Sequence, residues 1–174
     1  MIKSILAPAV AAAVGIAVLL QVVGCAGRSR PSSYYVLSPA AGTELAMQHT
    51  TPGSSDISIG ISRINLPKYL KMQQIVTRTG SNELYLAEFD RWAGRIEEDI
   101  GRVIAENLSL MLATDKVLSY PSMVAVPQDY IIKIDISRFD GRLGGDIELI
   151  VRWAVFDGQG NAVHSVTASH IMEA

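Results

Sequence analysis

Two stretches in the second half of the chain alternate apolar and polar residues for about a dozen positions each. In residues 128–139, Tyr130, Ile132, Ile134 and Ile136 fall on one face, and Lys133, Asp135 and Ser137 on the other. Residues 146–157 repeat the design. Ile147, Leu149, Val151, Trp153 and Val155 share one face; Glu148 and Arg152 share the other with Ile150, Ala154 and Phe156. A period of two is the period of a strand, so both segments are predicted as long strands. Asp157-Gly158-Gln159-Gly160 is turn chemistry, and it returns the chain as a last strand over 161–170. A sheet with one apolar and one partly charged face calls for helix on one side only.

That helix is predicted over Ala93 to Leu112. Ile96, Ile100, Val103, Ile104, Leu108, Met111 and Leu112 recur at three- and four-residue steps and form one stripe, which also takes in Asn107. Glu97, Glu98 and Asp99 lie in its early turns, where negative charge suits the helix dipole. Gly101 weakens the helix by about 1 kcal/mol relative to alanine, and reads as a close-packing position against the sheet. Shorter strands are predicted at 34–37, at 56–64 (half-buried, with Ile57, Ile59 and Ile61 on one face), at 74–78 and at 83–87. Residues 116–120 read as a brief edge strand closed by Pro121, and 38–56 as a long loop or insertion. Strands, one helix, then strands again make an α+β fold, a mainly antiparallel sheet packed on one side by helix. The charged face still carries Ile150 and Phe156 with no second helix to cover them, so either the fold has a single helix or the domain lacks a C-terminal one, and the second is the expectation.

The N-terminus answers a different question. Lys3 supplies a short positive region, and Ile5 to Leu20 is almost wholly Ala, Val, Ile and Leu. The run ends in Val22-Val23-Gly24-Cys25, the pattern of a bacterial lipoprotein signal, with Val22 where leucine is commonest. Gly24 is small enough for a signal peptidase to cut beside it. The Cys25 thiol is the nucleophile that takes a diacylglyceryl group, and cleavage frees an N-terminus that accepts an N-acyl chain. Two or three chains anchor stably where one binds only marginally. No other cofactor is expected. The competing readings are a spanning helix over Ser4–Gly27, which carries no charge until Arg28, and a secreted soluble protein. Pro8 and Gln21 shorten the apolar core and argue against the span. Cys25 is the only cysteine, so the exported domain carries neither a disulfide nor a free thiol. Ala26, where aspartate would retain a lipoprotein in the inner membrane of a Gram-negative cell, points to the inner leaflet of the outer membrane, facing the periplasm. The organisation expected is a signal peptide over 1–24, a lipidated N-terminus and linker over 25–33, and a domain over 34–174. Loss of Lys3 leaves 14 basic against 17 acidic residues, a charge of −3 that offers no footprint for nucleic acid.

With these residues placed, the chain resembles the ABC-type transport auxiliary lipoprotein family, the lipoproteins of MCE-type intermembrane transport systems. The resemblance rests on the lipidation motif, Tyr34-Tyr35-Val36-Leu37, Leu66-Pro67-Lys68-Tyr69-Leu70 and Gln74-Ile75-Val76-Thr77-Arg78. It continues through Leu86 to Ala93 and Ile104-Ala105-Glu106-Asn107-Leu108. Lys71-Met72-Gln73 and Gly94-Arg95-Ile96 stand where the family often reads Asp-Arg-Pro and Glu-Pro-Leu. The resemblance implies a role without a reaction. The lipoprotein docks an MCE-domain protein, and the assembly moves lipids between the membranes and supports envelope integrity. A homo-oligomeric ring would suit a conduit. The alternative is a structural or assembly-factor lipoprotein that binds an outer-membrane partner and takes no part in lipid transport.

Catalytic signals are weak. His164 and His170 lie six residues apart on one predicted strand, roughly 20 Å at about 3.3 Å per residue, too far to share a metal. His49 lies in the predicted loop. No nucleophile elbow, P-loop or zinc motif is present. Asp90-Arg91-Trp92 reads first as a pin at the helix entrance, with Asp90 accepting N–H bonds there, and second, together with Arg78, as a partner-binding set. Gly141 to Gly145 joins two strands and precedes no helix, so it reads as a hairpin loop and not as a phosphate cradle.

Overall fold

A computed structural model describes residues 30–40 and 56–173. The chain divides into two units, Met1–Pro31 and Ser32–Ala174, and the second carries every element described below. The strands are β1 (Ser33–Tyr35), β2 (Ile59–Ile61), β3 (Gln74–Arg78), β4 (Leu84–Trp92), β5 (Val117–Ser119), β6 (Tyr130–Gly141), β7 (Ile147–Asp157) and β8 (Ala162–Met172). The helix α1 spans Ile96–Leu112, and short 3-10 turns occupy Lys68–Lys71 and Ser122–Ala125. The fold is α+β, as the pattern requires, and the sheets are mixed. One has the order β1-β4-β3, the other β5-β2-β6-β7-β8. The long neighbours β6, β7 and β8 pair antiparallel, while β2 runs parallel to both β5 and β6 and β1 runs parallel to β4.

Packing puts the core where the alternation and the helical stripe meet. Ile96, Ile100 and Ala105 of α1 are buried against Ile59, Ile61, Ile134 and Ile136, and Leu149, Val151 and Trp153 of β7 pack at the margin. Gly101 lies 3.7 Å, through an ideal Cβ, from both Ile64 and Ser119, so helix and sheet are close there but a methyl group fits. The helix ends on Ala113 in the left-handed region (φ 50°), with the Ala113 and Thr114 amides bonding to Leu110 and Ser109 carbonyls.

Three expectations are corrected. The strand predicted over 56–64 is only three residues long, and it is central. Ile59, Gly60 and Ile61 are all buried, whereas Ile57 is exposed. The second face of β2 is covered because Met123, from the 3-10 turn, occupies the space a Cβ at Gly60 would need. Next, the strand predicted over 83–87 runs on to Trp92, and the helix begins at Ile96. Residues 90–92 stay extended because β1 pairs with them: Ser33 with Asp90, Tyr34 with Arg91 and Tyr35 with Trp92. Asp90 therefore sits on a strand and caps no helix. Last, the alternation in β6 breaks at a bulge between Ile136 and Arg138. One extra residue reverses the facing of everything after it. Phe139 thereby returns to the apolar side opposite Leu149, and Asp140 takes the other face opposite Glu148.

The segment after β1 is tied to the helix. The Leu37 amide donates to Asp99 (2.9 Å), Arg102 donates to the Leu37 carbonyl (2.7 Å), and the Ala40 amide donates to Asn107 (3.1 Å). Burial by itself would raise the Asp99 carboxyl, but the Arg102 guanidinium and the Leu37 amide outweigh it and hold the group below its ordinary range. Most of the long loop predicted over 38–56 lies outside the described residues.

Candidate functional site

The bulge in β6 creates the most polar point of the interior. Asp140 is only 3 % exposed, and both its carboxylate oxygens are engaged. Arg78, from the end of β3, donates through Nε to Oδ1 (2.7 Å) and through Nη2 to Oδ2 (3.1 Å). Tyr69, from the first 3-10 turn, donates its hydroxyl to Oδ2 (2.7 Å), and Arg138 donates Nε to Oδ1 (3.1 Å). Arg138 also pairs with Glu148 on β7, and Arg78 also donates to the Ser81 carbonyl (2.8 Å). A carboxylate this buried is tolerated only because charged donors replace water. Burial would raise its pKa; the hydrogen bonds from Arg78, Tyr69 and Arg138 outweigh that and lower it to about 2. Burial, followed by the hydrogen bond to Asp140 and its charge, pushes the Tyr69 phenol up to about 12. The cluster joins the smaller sheet, through β3, to the larger one, through β6.

Beside this cluster lies an apolar cavity of about 290 Å³. Leu66, Leu70, Val76, Trp92, Ile96 and Phe139 give it walls from both sheets, the 3-10 turn and the helix. A second, polar cavity of about 540 Å³ is lined by Arg78, Arg138, Arg142, Asp146 and Glu148. Asp140, Gly141, Arg142 and Gly145 line both, so the β6–β7 turn is the shared partition. A Cβ at Gly141 would run into the Asp146 carbonyl, which closes this turn tightly and requires glycine there.

The sequence-derived residues separate into different places. Arg78 belongs to the Asp140 cluster. Trp92 packs against the core and forms one wall of the apolar cavity. Asp90 accepts the Tyr35 hydroxyl (3.1 Å) across the β1–β4 pair. Arg91 stands on the same face as Tyr34, its register partner, and its Nε is shielded from solvent with no acceptor in reach among the described residues. Tyr34 itself is 66 % exposed, and Tyr35 is exposed too. Gly24 and Cys25 lie outside the described residues, as does His49. His164 and His170 both stand on β8, where the His164 ring lies 5.3 Å from that of Trp153. Among the described residues no cluster of His, Cys, Asp and Glu is arranged to hold a metal, and no helix is long and apolar enough to cross a membrane. Sequence reasoning missed Asp140. The only signal was an aspartate just past a strand's apolar face, and nothing local marks the bulge that buries it.

Residues 35–173 match the family model described as an ABC-type transport auxiliary lipoprotein component. The chain is 23 % identical over 135 residues to the intermembrane transport lipoprotein PqiC of Escherichia coli K12, covering 77 % of this chain and 68 % of that protein. The PqiC of Shigella flexneri matches with the same figures. Among solved structures, an uncharacterized protein superposes with a TM-score of 0.64 at 17 % identity, covering 83 % of this chain and 81 % of that one. A protein of Xanthomonas campestris superposes with a TM-score of 0.63 at 14 % identity, covering 82 % and 78 %. These two likenesses establish the fold alone.

Proposed function

The chain belongs to the ABC-type transport auxiliary lipoprotein components, and from that premise we propose that it is the outer-membrane subunit of an MCE-type intermembrane lipid transport system. In this reading Cys25 carries the acyl anchor in the inner leaflet. Residues 26–32 are then the tether between anchor and domain. The domain docks the MCE-domain protein, holds the exit of the assembly close to the leaflet and so supports envelope integrity. It performs no turnover of its own.

The observation that carries the docking role is the β1–β4 corner. It presents exposed Tyr34 on the same face as Arg91, whose shielded Nε has no acceptor within the described residues, while Tyr35 turns to the opposite face with Asp90 and Trp92. Tyrosine and arginine are the residue types that most often dominate binding energy at protein interfaces. β1 also adjoins the tether, so the docking face and the anchor lie close along the chain. The outer-membrane placement rests on Gly24-Cys25-Ala26.

The test is a crosslinked pull-down of the full-length lipidated protein from its native envelope, with a photo-crosslinking residue at Tyr34. Recovery of an MCE-domain protein crosslinked at that position is the expected result. Recovery only of outer-membrane or peptidoglycan-associated proteins would overturn the transport role and favour the assembly-factor alternative.

A further inference from the structure

We propose that the two cavities on either side of the β6–β7 turn form one binding site for a single-tailed zwitterionic amphiphile, the tail in the apolar cavity and the head between Arg142 and Asp146. The inference adds a ligand to the transport role proposed above and takes its physiological sense from that reading.

The apolar cavity is suited to hydrocarbon. Its walls are largely aliphatic and aromatic; of the two ionised residues on them, Asp140 has both oxygens committed to Arg78, Arg138 and Tyr69, and Arg142 stands on the turn where the cavity meets the polar one. A polar ligand placed there would therefore lose its water and gain little in return. At about 290 Å³ the cavity lies at the small end of the roughly 300–1,000 Å³ usual for ligand sites. One alkyl tail fits that space better than two. Leu143, at the tip of the turn, lines the same cavity and is 92 % exposed. An apolar side chain so placed is positioned to close over a tail entering past it.

The polar cavity selects the head. Its ionised lining is balanced: Arg78, Arg138 and Arg142 against Asp140, Asp146 and Glu148. Arg78 and Arg138 are paired with Asp140, and Arg138 also with Glu148. Arg142 and Asp146 have no ion pair among the described residues. They flank a turn held by the Gly145 amide on the Arg142 carbonyl (3.0 Å) and by the close approach of Gly141 to Asp146. One unpaired cation and one unpaired anion on a fixed turn match a head that carries both charges, a phosphate toward Arg142 and an ammonium toward Asp146. A purely anionic head would meet Asp146, and a purely cationic one Arg142.

Trp92 supplies a direct readout, because it lines the apolar cavity while Trp153, the other of the two tryptophans, does not. The full-length chain carrying Trp153→Phe, reconstituted in nanodiscs of unbrominated phosphatidylcholine, is titrated with a lysophosphatidylethanolamine brominated in its chain. Saturable quenching of Trp92 is expected, with brominated lysophosphatidylglycerol binding more weakly. Arg142→Ala and Asp146→Ala should each weaken binding by about threefold to fivefold, the scale of one partly exposed ionic contact. Both side chains are exposed, and an unchanged urea midpoint confirms that the variants fold. A Trp92→Phe chain, which reports from Trp153, should show only the background of membrane partition. Dibrominated phosphatidylethanolamine placed in the nanodisc identifies the source: quenching by it alone assigns the tail to a resident two-chain lipid and overturns the single-tailed ligand. Equal quenching of the two tryptophans, or affinity indifferent to both alanine substitutions, would overturn the site. A chain that still captures an MCE-domain protein yet shows no Trp92 quenching loses the ligand site and keeps the transport role.

Discussion

Asp140→Asn tests the idea that one buried carboxylate locks the two sheets together. The carboxylate receives four hydrogen bonds from Arg78, Tyr69 and Arg138. Asparagine keeps nearly the same shape and one carbonyl acceptor, but it leaves the guanidinium of Arg78 without its counter-charge and Arg138 with Glu148 alone. Removing one partner of a fully buried pair costs about 3–5 kcal/mol. Arg78 and Arg138 retain 19 % and 31 % of their side-chain exposure, so water recovers part of that loss. About 2–3 kcal/mol at pH 7 is the expected cost. At about 3 °C per kcal/mol for a domain of this size, the midpoint should fall by roughly 6–9 °C. The pH dependence provides an independent measure. Asp140 falls from 3.8 to about 2 on folding. A carboxyl depressed in the folded state stabilises fully above its unfolded value, and that contribution is lost as pH falls from about 4 through about 2. The shift corresponds to about 2 kcal/mol. Urea unfolding of wild type and variant at a series of pH values gives the difference directly. Taking the difference cancels carboxylates common to both proteins, such as Asp99 and Asp129. The gap should be widest above pH 4 and narrow by about 2 kcal/mol toward pH 2. A gap that stays constant across that range, or a cost under about 0.5 kcal/mol at pH 7, would refute the reasoning.

Other substitutions probe other levels of the argument. Gly101→Ala should stabilise the protein by up to about 1 kcal/mol, because the methyl group meets Ile64 and Ser119 at ordinary contact distance while helix propensity improves; chemical denaturation decides it, and destabilisation would mean the helix sits closer to the sheet. Arg91→Ala should lower crosslinked recovery of the MCE-domain protein by about tenfold, a typical loss for an interface anchor, with the unfolding midpoint little changed; equal recovery would remove Arg91 from the docking face. Cys25→Ser should release the protein from membranes or leave the precursor uncleaved, and normal acylation with outer-membrane fractionation of that variant would defeat the lipidation reading. The purified domain should show no ATPase or esterase turnover above a denatured control, and turnover abolished by a single named substitution would move the protein into an enzyme class.

Much of this protein is written in short-range pattern. The period of two across 130–136 and 147–155, the helical stripe from Ile96 to Leu112, and the glycine-rich turn after Asp157 each specify an element from within its own short stretch of chain. Together they determine an α+β fold, and the family words from Tyr34 to Leu108 place the chain among its relatives. What the sequence left open depends on meetings between distant segments. Nothing in 56–64 tells whether the strand is half-buried or central; the arrival of Met123 over Gly60 decides it. Residues 90–92 remain a strand because β1, more than fifty positions earlier, pairs with them. The candidate site has the same origin. Arg78 and Tyr69 reach Asp140 across 62 and 71 positions of chain, and they meet it only because a one-residue bulge turns that side chain away from the apolar face. A periodic pattern fixes which face of a strand is apolar, since that is a property of neighbouring residues. Which strands pair, and which charges are forced together out of water, is a property of the packed chain, where the energy of one arrangement depends on all its parts at once.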